Sequence, residues 1–204
     1  LAFPCFDEPD MKATWQLTLR IPEGLRAFGN MPVDAMSKPE GGWRNVGFQR
    51  TPRLPSYLIA FAVGDFDVVD AGKAGINATP ISIITAKGRG AEAAFAAANT
   101  GAILAATEKY FGMAYPFPKL DLVGFPKANN FSAMENPGLV TYTARSLLAR
   151  PDEMSPRFQQ QFIGITAHEI AHMWFGDYVT MTWWDDLWLN ESFASWMATY
   201  ISQE

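Results

Sequence analysis

The sequence predicts an α+β chain of two dissimilar portions, and three observations carry that prediction. Residues 11 to 71 read as β structure, strands joined by short Pro, Gly and Asn turns with no helix between them. From about residue 91 onward, long runs of helical composition are interleaved with short apolar strands. The only two histidines, His168 and His172, fall four residues apart inside one of those helical runs.

Taken in order, Trp15-Gln16-Leu17-Thr18-Leu19-Arg20-Ile21 alternates strictly, the period of a half-buried strand. Tyr57 to Val63 is apolar on both phases and predicts a strand covered on both faces. Turn residues at Pro22-Glu23-Gly24, Gly29-Asn30 and Gly41-Gly42 join these segments and favour antiparallel pairing. Asp70 to Pro80 lacks periodicity and is the expected boundary, dividing a β-rich portion 1–73 from a mixed portion 74–204. Ile81 to Thr85 reads as a strand, and Ala91 to Phe111 as an alanine-rich helix stopped by Gly112. Leu120 to Phe125 and Leu139 to Thr143 read as strands. Ser155-Pro156 supplies an N-cap and a first-turn proline for a helix expected to reach Phe175 and stop at Gly176. A last helix is expected to begin between Asp186 and Asn190 and to run on to the end.

Composition narrows the function. With 16 Lys and Arg against 21 Asp and Glu, the net charge is −5, and no basic stripe is present to neutralise phosphates, which argues against nucleic acid as a partner. No apolar run is long enough for a transmembrane segment. A single cysteine, Cys5, excludes an intrachain disulfide and a cysteine-only zinc site, and leaves a cytoplasmic or a secreted or periplasmic location open. The chain opens Leu1-Ala2-Phe3-Pro4 without methionine and closes on Trp196 to Ile201 without a capping signal, so it is expected to be a portion of a longer protein.

His168-Glu169-Ile170-Ala171-His172 places two imidazoles on one helix face at i and i+4, within reach of one ion. Glu169 lies about 100° round the helix from His168, beside the ligands rather than among them. That is the pattern in which two histidines bind zinc and the glutamate acts as general base. Because there is no third histidine, the third ligand must be a carboxylate. Glu191, with 18 residues between it and His172, is the favoured one; Asp185 and Asp186 are rivals or partners of a ligand.

These residues resemble a known family. His168-Glu169-Ile170-Ala171-His172-Met173-Trp174-Phe175-Gly176 and Trp184-Asp185-Asp186-Leu187-Trp188-Leu189-Asn190-Glu191 are similar to the zinc aminopeptidases related to aminopeptidase N, a group that includes leukotriene hydrolase. Ser132-Ala133-Met134-Glu135-Asn136 resembles the family's Gly-Ala-Met-Glu-Asn loop, with serine in place of the first glycine. Phe3 to Pro9 and Tyr57 to Gly64 resemble its N-terminal β-domain.

The resemblance implies a saddle-like β-domain followed by a thermolysin-like catalytic domain. It implies one zinc ion per chain on His168, His172 and Glu191, and Glu169 as general base. It implies Glu135 as the acid that grips a substrate's free α-ammonium, and Ala133 and Met134 as the loop along the substrate backbone and first side chain. Peptides with a free N-terminus are the implied substrates. The departures are Ser132 and Pro137, the latter standing where many relatives carry tryptophan. The family's transition-state tyrosine is expected beyond Glu204, and a glutamine that helps bind the substrate amine upstream of the chain. An endopeptidase, an epoxide hydrolase on the same site and a non-catalytic scaffold are the rival readings.

Overall fold

The computed structural model describes residues 3–126 and 132–203. Its first portion is antiparallel throughout. Strands β1 (Thr18–Pro22), β4 (Trp43–Phe48) and β3 (Val33–Met36) form a three-stranded sheet in the order β1-β4-β3. β2 (Arg26–Gly29) pairs with β5 (Phe61–Gly64) in a separate ribbon. The alternation along residues 15–21 places Leu17, Leu19 and Ile21 inward, against a small core of Met31, Val46 and Phe48.

The doubly covered strand expected over Tyr57 to Val63 is not what forms. Pro55 leads into a single 3-10 turn at Ser56–Leu58, and β5 starts only at Phe61. In that two-stranded ribbon Ala62 is buried while Phe61 and Val63 are exposed. The face that carries Phe61 and Val63 is left uncovered among the described residues, so an apolar run on both phases does not by itself cover both faces.

The second portion is built on a five-stranded mixed sheet in the order β6-β7-β8-β10-β9. Its strands are β6 (Phe66–Ala74), β7 (Thr79–Ala86), β8 (Leu120–Phe125), β9 (Ala133–Met134) and β10 (Leu139–Thr143). The central pairs β7–β8 and β8–β10 are parallel, and the outer pairs are antiparallel. The parallel β7–β8 pair needs a long crossover, which α1 (Ala94–Phe111) supplies. The stretch read as irregular around Asp70 to Pro80 is instead a hairpin: β6 continues to Ala74 through an irregularity between Asp70 and Lys73. A division between residues 73 and 74 therefore separates two hydrogen-bonded strands.

Polar groups rather than a hydrophobic period hold that hairpin. The Glu108 carboxylate of α1 accepts from the Ile76 N–H (2.6 Å) and from the Tyr115 N–H (2.7 Å). Gly75 has φ 76°, and a β-carbon there would run into the Glu108 carboxylate, so glycine is required twice over. Ala96, Thr100, Ile103, Leu104 and Thr107 form the buried stripe of α1, which packs on β6 and β7; Gly112, at φ 62°, ends the helix as expected.

Short helix α2 (Ala144–Leu147) leads on to α3 (Pro156–His172) and α4 (Leu187–Ile201), which pack against each other, with α3 also against α1. The main core lies between sheet and helices, with Ile83, Leu104, Leu122, Phe162, Ile170 and Met197 at its centre.

Candidate active site

Helix α3 starts where the sequence places it: the Ser155 hydroxyl accepts from the Phe158 N–H (3.2 Å), and Pro156 occupies the first turn. Its inner face buries Phe162, Thr166, Ala167 and Ile170 completely, which fixes the rotation of the helix. Gly164, His168 and His172 recur every four residues on another face.

The helix ends at His172, three residues short of the expected Phe175. Beyond it the N–H groups of Met173 and Trp174 reach back only to Ile170 and Ala171, and Asp177 N–H caps the His172 carbonyl (3.0 Å). Gly176 packs where a β-carbon would press on the His172 ring nitrogen Nδ1 and the Asn190 amide.

The donor atoms converge from two helices. His168 Nε2 lies 3.0 Å from His172 Nε2, and Glu191 Oε2 lies 3.3 Å from His168 Nε2 and 3.8 Å from His172 Nε2. Ligands at about 2.0–2.2 Å around a tetrahedral zinc lie roughly 3.3–3.6 Å from one another, so this triangle has the size of a zinc face. The His172 Nδ1–H donates to the Phe175 carbonyl (3.1 Å), which turns the Nε2 lone pair toward the other two donors. His168 Nδ1 lies 3.5 Å from the Ser195 hydroxyl of α4. Among the described residues these three are the group of His, Cys, Asp or Glu side chains close enough to share an ion, and neither Asp185 nor Asp186 joins them.

Electrostatics suit a cation. Burial lowers the His172 imidazole below its ordinary value and keeps it neutral. A hydrogen bond from His168 holds the Glu191 carboxyl below the usual carboxylate range. Burial pushes the Glu169 carboxyl well up, and the negative charges of Glu135 and Glu191 push it further. Three acids near one another, with no Lys or Arg ion pair to them among the described residues, form an arrangement that a metal ion stabilises.

The remaining predicted residues are distributed along one strand. Ser132 and Ala133 line a cleft of about 640 Å³ together with His168 and Glu169. Met134 lines a smaller apolar cavity of about 270 Å³ with Ala133, Tyr57 and Tyr142. Glu135 lies one residue further along, is 7% exposed, and lines neither space. β9, which carries Ala133 and Met134, lies at one edge of the sheet among the described residues.

Two residues at the site were not singled out in the sequence. Asp177 is 1% exposed, and neither carboxylate oxygen has a hydrogen-bond partner among the described residues. Burial raises its pKa, as do the charges of Glu135 and Glu169, while Lys12 opposes the shift. The Lys12 ammonium donates to the carbonyls of Asp177 and Tyr178, tying the N-terminal portion to this turn. Tyr57 packs on Trp184 with ring centroids 5.2 Å apart, and its buried hydroxyl is raised in pKa first by burial and then by Asp177, Glu135 and Glu191. An acid directly after Met173-Trp174-Phe175-Gly176 was the available signal for Asp177; Tyr57 had none beyond its apolar strand.

With this geometry in view, the chain belongs to peptidase family M1. The model of the Peptidase family M1 domain matches residues 95–204, and that of the Peptidase M1 N-terminal domain matches residues 1–58. The chain is 43% identical over 196 residues to an "Aminopeptidase N" of Acetobacter pasteurianus, covering 96% of the chain and 54% of that relative. It is 41% identical over 194 residues to a "Glutamyl aminopeptidase" of Bos taurus, covering 95% of the chain and 20% of the relative. It is 43% identical over 201 residues to an "Aminopeptidase Ey" of Gallus gallus, covering 96% and 20%. The chain thus spans between about a fifth and about half of the length of these relatives.

Proposed function

We propose that the complete gene product is a zinc-dependent aminopeptidase that hydrolyses the N-terminal bond of peptides with a free α-amine. The observation that carries this reading is the triangle of His168 Nε2, His172 Nε2 and Glu191 Oε2, with side lengths of 3.0, 3.3 and 3.8 Å, standing beside a buried glutamate on the same helix. These three side chains would hold one zinc ion. Bound there, zinc supplies Lewis acidity and a water acidified toward pKa 7.

The protein's own groups do the rest. Glu169 takes a proton from the attacking water and returns it to the leaving amine, a role suited to a carboxyl whose pKa is raised. Glu135 pairs the α-ammonium and holds the substrate by its end; its burial makes that pair strong and selective. The outer edge of β9, which has no strand partner among the described residues, offers backbone groups to an extended peptide, so Ala133 and Met134 set its direction. The names of the relatives support the exopeptidase reading over the endopeptidase one.

The test is steady-state hydrolysis of matched free and N-acetylated peptides by the complete, zinc-loaded protein. Acetylation should lower kcat/KM about 10- to 150-fold, the value of a charge-assisted pair of roughly 1.5–3 kcal/mol. In Glu135→Ala, acetylation should change it little. Equal cleavage of both substrates by the wild type would overturn the aminopeptidase reading.

A further inference from the structure

Gly164 lies one helical turn before His168 on the same face of α3 and lines the 640 Å³ cleft beside the metal-ligand triangle. It occupies the interior of a 17-residue helix, where glycine is destabilising relative to alanine. Neither of the usual reasons for a helical glycine applies. Its φ is not in the left-handed region, and a β-carbon built on it would have no heavy atom within 4 Å, apart from the helix's own backbone and its chain neighbours. By contrast, Gly101 in α1 stands over Ala74, where a β-carbon would be tightly held. The missing side chain at 164 therefore leaves open space on the cleft wall.

β9 shows which part of a substrate that space receives. Ser132 and Ala133 border the cleft, Met134 turns to the cavity beside Tyr57, and Glu135 is buried beyond it. On the reading proposed above, the α-ammonium lies at Glu135 and the scissile carbonyl at the ligand triangle. The chain beyond the scissile bond then runs back past Ala133 into the cleft. The cleft is also lined by Ser195, Ala198 and Thr199 of α4 and by Ser202 and Gln203 just past its end, all uncharged. One helical turn from His168 is about 6 Å, the reach of the first side chain past the cut bond.

We infer that Gly164 determines specificity on the leaving side. It makes room for a large uncharged side chain on the residue immediately after the scissile bond. This rests on the aminopeptidase reading for its direction along the strand.

The experiment compares Gly164→Leu and Gly164→Ala with wild type in the complete zinc-loaded protein. Leucine is a good helix former, so the substitution fills the cleft without breaking α3. The substrates are Ala-Trp-Ala and Ala-Gly-Ala. The ratio of their kcat/KM values, Trp over Gly, should fall about 10- to 100-fold in Gly164→Leu, the scale on which a filled pocket rejects a bulky group. Gly164→Ala should lower the ratio less and raise the thermal midpoint. A ratio unchanged from wild type in Gly164→Leu overturns the inference.

A second arm measures calorimetric binding of both peptides to zinc-loaded Glu169→Gln, with and without Gly164→Leu. Weakening confined to Ala-Trp-Ala supports the inference. Equal weakening, no weakening or no binding of either peptide overturns it. A wild type that binds the peptides and cleaves neither sinks the aminopeptidase reading instead, and the binding arm still decides Gly164.

Discussion

Glu169 and Glu191 are both acids near the same two imidazoles, yet the fold places them differently. Glu191 presents Oε2 to both Nε2 atoms from a half-exposed position, whereas Glu169 is buried and outside the triangle. Glu169→Gln should therefore retain zinc by atomic absorption while turnover falls about 10²- to 10⁴-fold. Glu191→Ala should lose zinc, and loss of zinc from the glutamine variant would show that base and ligand had been exchanged. The sequence made this much legible because i, i+4 spacing on a helix is geometry that needs no tertiary information. Asp177 and Tyr57 stayed hidden for the converse reason. What distinguishes them is burial without a hydrogen-bond partner, and that arises only when the segments around residues 12, 57 and 177 meet.

At the level of elements, the readings that held were those backed by local chemistry. The Ser155 cap, the Gly112 stop and the strands at 81–85, 120–125 and 139–143 all formed near their expected bounds. Those that failed depended on distant partners. The β6–β7 hairpin looks irregular in sequence because a buried glutamate 32 residues after Ile76 supplies the acceptor for its turn. Gly75→Ala should thus cost about 1–3 kcal/mol, from a left-handed φ and the displaced Glu108 carboxylate. Denaturant unfolding checks this, and an unchanged midpoint would mean that the turn relaxes freely. The early end of α3 has a similar cause, since the carbonyls of His172, Met173 and Trp174 are taken by N–H groups returning from residues 177–179.

For the whole molecule, the α+β class and the change from antiparallel to mixed sheet were readable from periodicity, but the strand order β6-β7-β8-β10-β9 was not. Side-chain alternation fixes which face a strand buries, not which neighbour it takes. A covered ion pair sits at the start of β8: the Lys119 ammonium lies 2.7 Å from Asp121 Oδ2, with both side chains almost fully covered. Lys119→Met alone should destabilise the fold by about 3–5 kcal/mol by stranding a buried carboxylate, and adding Asp121→Leu should recover most of it. A double-mutant cycle in urea reads this directly; additive losses would show that the two groups do not act as a pair. The triangle of His168, His172 and Glu191 has a consequence of a different kind if it holds the proposed ion. His172 ends α3 and Glu191 lies in the second turn of α4, so an ion shared between them closes a loop of 18 residues. In polymer terms it is a removable cross-link, comparable to a disulfide across a loop of that length, which restricts the open chain by about 3 kcal/mol. Removing it frees the connection to fluctuate independently of the sheet. The exposed Tyr178 and Trp183 within that loop are natural cleavage points for chymotrypsin. Chelator should therefore speed cutting there long before the sheet unfolds, and fragment mapping by mass spectrometry that showed the same pattern with and without chelator would refute the cross-link.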